Sequence, residues 1–270
     1  MRTSLTSAVF AAVSALLLNS SLAQAQDKSS CIAEVGLIGL ISFLISPSPK
    51  GGAPFNAVVR QTVDQKLADG NSIHAVIRYQ VGRDASGKTF SRRPGPCFIS
   101  DDGQQHQSYR VSVYDPNLKT TESWDVDGVN RIAIFTHMPP EKPSEAELAA
   151  MRANPARRRQ VTSELQLEKL GTQNFQGVLA EGIRNTQTIP VGDQGNALPL
   201  IIVTENWNST ELGIAMKQVI DDPRRGRTVV EVEELNQGDP PPSIFMPPEG
   251  YEIKEQTITT TVLQSSPASR

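Results

Sequence analysis

Apolar and polar residues alternate repeatedly along this chain. The alternation is clearest over residues 73–81, where odd-numbered positions are apolar and most even-numbered positions are polar. A period of two residues is typical of an antiparallel strand with one buried face. Further strand signals, separated by Gly, Pro or Asp turns, cover residues 55–62, 89–99, 108–115, 132–138, 164–170, 177–188, 200–207, 213–220, 228–235 and 251–262. The pattern predicts a mainly β protein.

Residues 139–162 interrupt the strand pattern. Pro139 and Pro140 end the preceding strand signal, and Ser144 with Glu147 has the spacing of a helix capping box. This spacing predicts a short helix, and therefore an α+β fold with one or two short helices. We interpret residues 139–162 as a helical insertion in a single β-rich domain of residues 53–263. Residues 264–270 are predicted to be a disordered tail.

Residues 1–25 have the three regions of a secretory signal peptide. Arg2 supplies a positive charge, residues 8–18 are apolar, and Ala23-Gln24-Ala25 fits the small-residue rule for cleavage after Ala25. The apolar run is shorter than the ~20 residues that a membrane span needs. We therefore expect the protein to be exported, which in a bacterium means that it is periplasmic or secreted.

Residues 26–52 form an apolar segment followed by a linker. Cys31–Ile45 contains one charged residue, Glu34, and its length suits a buried or lid-like element better than a membrane span. Ser46 to Gly52 is rich in Pro, Ser and Gly, which is typical of a linker.

Cys31 and Cys97 are the two cysteines of the chain. In an oxidising compartment, a disulfide closing a loop of about 66 residues would stabilise the fold by about 4 kcal/mol. Two unpaired thiols are the alternative, because sequence does not show whether the Cα atoms come within reach.

The charge of the chain argues against nucleic acid as a partner. The formal net charge is −3, and it becomes −4 once Arg2 leaves with the signal peptide. A mildly acidic chain lacks the basic footprint of a protein that binds nucleic acid or anionic membrane. The basic run Arg157-Arg158-Arg159 lies in a polar segment and is interpreted as solvated.

Residues Gly82 to Thr89 match the phosphate-binding loop pattern G-x-x-x-x-G-K-[ST]. That site needs a helix starting at Lys88-Thr89, because the helix N-terminus meets the phosphates. Pro94 and Pro96 follow too closely for such a helix. We therefore predict a β-hairpin, with Asp84-Ala85-Ser86-Gly87 as its turn, and no nucleotide site.

Side chains suited to catalysis are scattered. His74, His106 and His137 lie in separate segments without metal-ligand spacing, so no catalytic residue, metal site or cofactor is predicted. Glu231 and Glu233 share one face of a predicted strand, opposite Val230 and Val232. Paired carboxylates at this spacing suit a glycosidase or a metal, but a solvated sheet face also explains them.

Three aromatic residues are the candidates for ligand binding. Trp207, Phe245 and Phe175 are each flanked by polar or turn residues. They act either as anchors that cap the core or as walls of an apolar ligand pocket.

The second half of the chain resembles a known superfamily. Glu205-Asn206-Trp207, Met216-Lys217 and Phe245-Met246-Pro247-Pro248-Glu249-Gly250-Tyr251 are similar in order to the closing sheet of the periplasmic lipoprotein carriers (LolA/LolB-like), over about residues 165–252. A closer resemblance, over about residues 53–255, is to a group of uncharacterised exported bacterial proteins. It includes Leu67-Ala68-Asp69-Gly70-Asn71 and Asp222-Pro223-Arg224.

The carrier resemblance implies a strongly curved antiparallel sheet, or half-barrel, around an apolar concavity. It further implies helices at the mouth, for which Cys31–Ile45 is a candidate. The resulting hypothesis is an exported, non-enzymatic protein that binds an apolar small molecule, lipid or acyl chain. The alternatives are an envelope sensor or protein-interaction module, and a hydrolase that depends on Glu231 and Glu233.

Overall fold

The structure is a computed structural model that describes residues 45–49, 51–100, 103–128, 130–137 and 164–257. The predicted signal peptide, the insertion at 139–162 and the tail at 264–270 lie outside these residues. Cys31 lies outside them as well, so the disulfide with Cys97 stays a prediction.

The described residues form one twelve-stranded sheet. Its strands are β1 (Phe55–Lys66), β2 (Ser72–Arg83), β3 (Thr89–Ile99), β4 (Gln105–Asp115), β5 (Thr120–Val126), β6 (Ile132–His137), β7 (Glu164–Phe175), β8 (Val178–Ile189), β9 (Leu200–Ser209), β10 (Ile214–Asp222), β11 (Gly226–Gln237) and β12 (Glu252–Thr257). A short 3-10 helix, Pro242–Phe245, lies between β11 and β12.

The sheet joins two meanders. The strand order is β12-β6-β5-β4-β3-β2-β1-β11-β10-β9-β8-β7, so β1 to β6 pair consecutively, β7 to β11 pair consecutively, and β1 pairs with β11. The two end strands, β12 and β7, do not pair with each other. The predicted mainly β, curved antiparallel fold is therefore confirmed as a curved open sheet that does not close into a barrel.

Two details differ from the pattern-based expectation. Strand β5 was not predicted, because its short segment Thr120–Val126 places polar Thr120 and Glu122 on the buried face beside Trp124. β12 pairs with β6 in parallel, which departs from the expected antiparallel arrangement. Parallel pairing joins strands that are far apart in the chain, and local periodicity carries no signal for it.

Two clusters of apolar side chains make up the core. The first includes Phe55, Val81, Met216 and Val230. The second packs Phe90, Val111, Val113, Trp124 and Ala133 against Phe245 of the 3-10 helix. Val81 and Gly82 are consecutive in β2, and Gly82 lies opposite Phe90. Since successive residues of a strand point to opposite faces, the two clusters lie on opposite faces of the sheet where β2 meets β3.

The start of the described chain is fixed to the first cluster. Ile45, the last residue of the predicted apolar segment, is 3% exposed within it. The Ile45 backbone N–H donates a hydrogen bond to the Tyr79 hydroxyl at 2.9 Å. Burial raises the pKa of Tyr79 to about 12. The remainder of the apolar segment lies outside the described residues. In the part of the chain that the structure describes, no helix has the length and apolar character that a membrane crossing requires.

Candidate functional site

An apolar surface on β7 and β8 is the main candidate for a binding site. Four large aliphatic side chains are exposed there: Leu165, Leu167, Leu179 and Ile183. Leu165 lies opposite Gln187, Leu167 opposite Asn185, and Lys169 opposite Ile183. Direct partners share a face, and residues two or four apart in β8 share that face too. The four aliphatic residues therefore lie on one surface, which also carries the exposed charged side chains of Lys169 and Glu181. We call this surface the β7–β8 apolar face.

The β7–β8 apolar face continues a face that is buried at the centre of the sheet. The register runs from Ile183 to Asn206 in β9, then to Gln218 in β10 and Val230 in β11. Val230 is fully buried, whereas Ile183 is 42% exposed. The same side of the sheet thus changes from packed core to solvent-exposed apolar surface between β11 and β7.

Among the residues that the structure describes, strand β7 is the last strand of the sheet on this side. Ten of its twelve residues are exposed, the exceptions being Leu170 and Phe175. The register with β8 shifts between Lys169 and Gly171, and Gly171 has a φ of 83°. A bulge, and a lysine within the strand, are features by which sheet edges limit unwanted pairing.

The structure brings two of the three aromatic candidates together. The rings of Phe175 and Trp207 are 5.7 Å apart between centroids, and both pack against the first core cluster. Phe245 lies in the second cluster, 5% exposed, with its ring edge-to-face on Phe90 at 5.6 Å. Sequence reasoning missed the four aliphatic residues, although Leu165 and Leu167 alternate with polar neighbours in a way that indicates a one-sided apolar face.

Glu231 and Glu233 take part in ion pairs that cross several strands. Glu231 pairs with Arg60 and has Lys217 Nζ at 3.6 Å. Glu233 accepts hydrogen bonds from Arg78 Nε at 2.7 Å and from Arg78 Nη2 at 3.0 Å. The hydrogen bond and charge of Arg78 lower the pKa of Glu233. A general acid needs a raised pKa, so this environment favours a structural role for the two carboxylates.

The Gly82–Thr89 segment forms the predicted hairpin. β2 ends at Arg83, β3 starts at Thr89, and Gly87 has a φ of 87°. The Asp84 carboxylate accepts hydrogen bonds from the backbone N–H of Ser86 and of Lys88, both at 2.9 Å. The backbone N–H groups of the turn therefore already donate to the Asp84 carboxylate and are not free to bind a phosphate. In addition, strand β3 begins at the position where a phosphate-binding loop needs the start of a helix.

The three histidines lie on different strands. His74 Nδ1 is 2.7 Å from Asp64 Oδ1, and His137 Nε2 is 3.6 Å from Glu255 Oε2. The His106 ring stacks on Phe98 with centroids 5.6 Å apart. Among the described residues, no group of three or more His, Cys, Asp or Glu side chains is placed to hold a metal ion.

No protein-family model matches the sequence, and no match was found among curated proteins. Solved structures share limited similarity with this chain. MucB is 12% identical, with a TM-score of 0.30; the match covers 74% of this chain and 59% of MucB, so this chain spans less than two thirds of that protein. LprF from Mycobacterium bovis is 16% identical, with a TM-score of 0.31, and the match covers 77% of this chain and 100% of LprF.

A third similar structure is a putative outer membrane lipoprotein-sorting protein domain from Vibrio parahaemolyticus. It is 11% identical, with a TM-score of 0.20, and the match covers 70% of this chain and 86% of that domain. TM-scores this low do not establish a common fold. The family relationship indicated by the sequence motifs therefore stays a prediction.

Proposed function

We propose that the protein is exported and binds an apolar ligand, of the lipid or acyl-chain class, on the β7–β8 apolar face. The observation that carries the proposal is the exposure of Leu165, Leu167, Leu179 and Ile183 on one side of two paired strands. Exposed apolar residues are ordinary when scattered singly, but a contiguous set on a soluble protein usually marks a binding surface.

The shape of this face suits an elongated ligand. Leu165 lies opposite Gln187, eight residues along β8 from Leu179. At a rise of about 3.3 Å per residue, the apolar side chains span roughly 26 Å along the strands. Fully burying an exposed aliphatic side chain contributes roughly 1.5–3 kcal/mol, and these side chains, 42–70% exposed in the free protein, each contribute about half of that when a ligand covers them. A flexible hydrocarbon chain lying along the strands would cover several of them at once.

Ligand binding is tested with the mature protein and dansylated undecanoic acid, whose emission rises on transfer to an apolar site. Leu167→Gln and Ile183→Gln are each expected to weaken binding several-fold, up to about tenfold, because each removes the burial of one aliphatic side chain. Leu198→Gln is the matched control, because Leu198 is 76% exposed in the connection between β8 and β9. The Leu198→Gln variant should bind the fatty-acid probe with the same affinity as the unsubstituted protein. Undetectable binding, or equal losses in all three variants, would contradict the proposal.

A protein-interaction module is the second candidate. It is favoured by the position of β7 at the end of the sheet with ten of its residues exposed. An apolar face beside a sheet edge is a surface on which an extended partner segment docks. This function is preferred if the fatty-acid probe fails to bind while Leu167→Gln abolishes retention of a discrete envelope protein on the immobilised parent chain.

The third possibility, hydrolysis by Glu231 and Glu233, has the least support. Both carboxylates are held in ion pairs, and Arg78 lowers the pKa of Glu233. Activity would require at least one carboxyl group that stays protonated near neutral pH.

A further inference from the structure

A buried charge cluster lies at the end of the second core cluster. Lys88 Nζ is 2.9 Å from Asp115 Oδ2, and the Asp115 side chain is 7% exposed. Glu122, on the neighbouring strand β5, is also 7% exposed. Register places Thr120 opposite Asp115 and Glu122 opposite Val113, so the two acids are diagonal neighbours across β4 and β5. Two nearly buried acids therefore lie close to one partly exposed lysine.

Glu122 lies among apolar side chains. Its partner in β4 is Val113 and its partner in β6 is Phe135. Phe90 lies opposite Val113 and packs edge-to-face on Phe245. The cover on this face is the segment Asp239–Tyr251, which contains the 3-10 helix and which we call the capping segment. An ionised carboxylate beneath such a cover is costly unless it is paired or hydrated.

The capping segment is fixed at its two ends and leaves a cleft between them. The Ala85 backbone N–H donates to Asp239 Oδ1 at 2.7 Å, and the Tyr251 hydroxyl donates to the Asp125 carbonyl at 2.7 Å. Between these points, a cleft of about 610 Å³ separates Asp84 and Lys88 from Pro240, Pro241, Pro242, Phe245 and Met246. Water therefore reaches the edge of the charge cluster without passing through the core.

We propose that Glu122, Asp115 and Lys88 form a pH-responsive contact, which holds the capping segment against β3–β6 in mildly acidic solution and releases it as the pH rises. When Glu122 is protonated and neutral, Lys88 pairs with Asp115 alone, and the capping segment stays packed over the uncharged Glu122 side chain. When Glu122 loses its proton, two carboxylates compete for one ammonium group. Lifting Phe245 and its neighbours then hydrates the second carboxylate.

Proton linkage determines that the contact is lost as the pH rises rather than as it falls. Burial, assisted by the charge of Asp115, raises the pKa of Glu122, while Lys88 opposes the shift. Stability from a protonated acid with a raised pKa is fully present below its unfolded-state pKa and is lost as the pH rises through the folded-state pKa. Asp115 behaves oppositely, because burial is outweighed by hydrogen bonds from Lys88, Leu118 and Asn117, which lower its pKa. Its stabilisation is lost as the pH falls.

Other charged or titratable groups also lie around Glu122. From the elements packed around Glu122 they are Asp84, Lys88, Arg92, Asp115, His137, Asp239, Tyr251 and Glu255. Arg92 lies opposite Val111 rather than Val113, and it pairs with Asp127 at 3.6 Å. His137 lies opposite Thr120 rather than Glu122, and it pairs with Glu255 at 3.6 Å. Histidine is the side chain that ordinarily changes charge near neutral pH. The variant His137→Gln therefore separates its contribution from that of Glu122.

Trp124 provides a built-in reporter of release. It is 3% exposed, belongs to the second core cluster, and shares the face of Glu122 two residues away. The chain has two tryptophans, so Trp207→Phe leaves Trp124 as the only one. In that background, acrylamide quenching of Trp124 is expected to rise in one transition, at a pH above that at which an ordinary glutamate carboxyl group titrates. Release of one proton limits the change in the opening equilibrium to about tenfold per pH unit.

Quenching of Trp124 in single variants distinguishes Glu122 from His137 as the group whose titration releases the capping segment. Glu122→Gln should keep quenching low and flat, and Lys88→Met should move the midpoint to higher pH, because the cation favours the ionised carboxylate. Glu181→Gln, an exposed change in β8, should match the parent. Circular dichroism checks that each variant is folded, and Glu122→Met replaces the Gln variant if needed. A transition that survives Glu122→Gln, or disappears in His137→Gln, overturns the proposal.

Discussion

The indole ring of Trp207 occupies the space in which a Cβ atom on Gly182 would lie. Gly182 and Trp207 are direct partners in the β8–β9 pair. A Cβ added at Gly182 would be 2.6 Å from the ring atom Cζ3 and 2.8 Å from Cε3. Distances this short are well inside van der Waals contact. Glycine at position 182 is therefore what allows Trp207 to lie flat across β8 and reach Phe175.

Gly182→Ala is expected to destabilise the protein by about 1–3 kcal/mol, the range observed for overpacked sites. Unfolding in urea measures this change. The double variant Gly182→Ala with Trp207→Leu should recover much of the loss, because the smaller side chain vacates the Cβ position. Such non-additivity is characteristic of residues in direct contact. Additive losses would show that Trp207 does not lie over Gly182.

Arg83 joins three parts of the chain through backbone carbonyls. It is 1% exposed, and its guanidinium donates to the carbonyls of Ser48 at 2.8 Å, Ala53 at 2.7 Å and Leu212 at 2.7 Å. Its charge centre also lies 5.5 Å from the centroid of the Phe55 ring. Burial lowers the pKa of Arg83. The planar group with several donors suits three acceptors that a single ammonium cannot reach together.

Arg83→Met is expected to cost about 1–3 kcal/mol, because it leaves the buried Leu212 carbonyl without its donor. Arg83→Lys should also destabilise, although less, since it restores only part of the hydrogen bonding. Arg225→Met is the matched control: Arg225 is exposed in the β10–β11 turn, and a change there should stay within about 0.5 kcal/mol. Equal stability of the Arg83→Met and Arg225→Met variants in urea would contradict the structural role of Arg83.

The extent to which these features follow from sequence depends on their range along the chain. The β2–β3 hairpin is visible in the alternation over residues 73–81 and in the Asp84-to-Gly87 turn, because both are local. The contact between Arg83 and Leu212 joins residues 129 positions apart, and no spacing rule signals it. Glu122 was missed for a different reason. A buried carboxylate breaks the apolar pattern by which buried strands are recognised.

The candidate site likewise has some features that the local sequence shows and others that depend on how the strands pair. The alternation of Leu165 and Leu167 is local, whereas the exposure of these residues depends on where β7 falls in the sheet. Pairing places β7 last and β11 near the centre, so similar apolar faces become surface in one strand and core in the other. The flanking residues alone make Trp207 and Phe245 look alike as candidates. Tertiary packing separates them into different clusters.

Substitution of Phe245 tests whether this aromatic residue is an anchor of the core or a wall of a ligand pocket. Its ring is 5% exposed and contacts Phe90 in the second core cluster, far in the strand order from β7 and β8. Phe245→Ala is therefore expected to destabilise by about 3–5 kcal/mol, through lost burial and the cavity left behind. In the fraction that remains folded, affinity for dansylated undecanoic acid should equal that of the parent. Phe245→Leu, which fills more of the space, should recover part of the stability. A variant at position 245 that folds with parental stability but loses the probe would instead make Phe245 a wall of the ligand site.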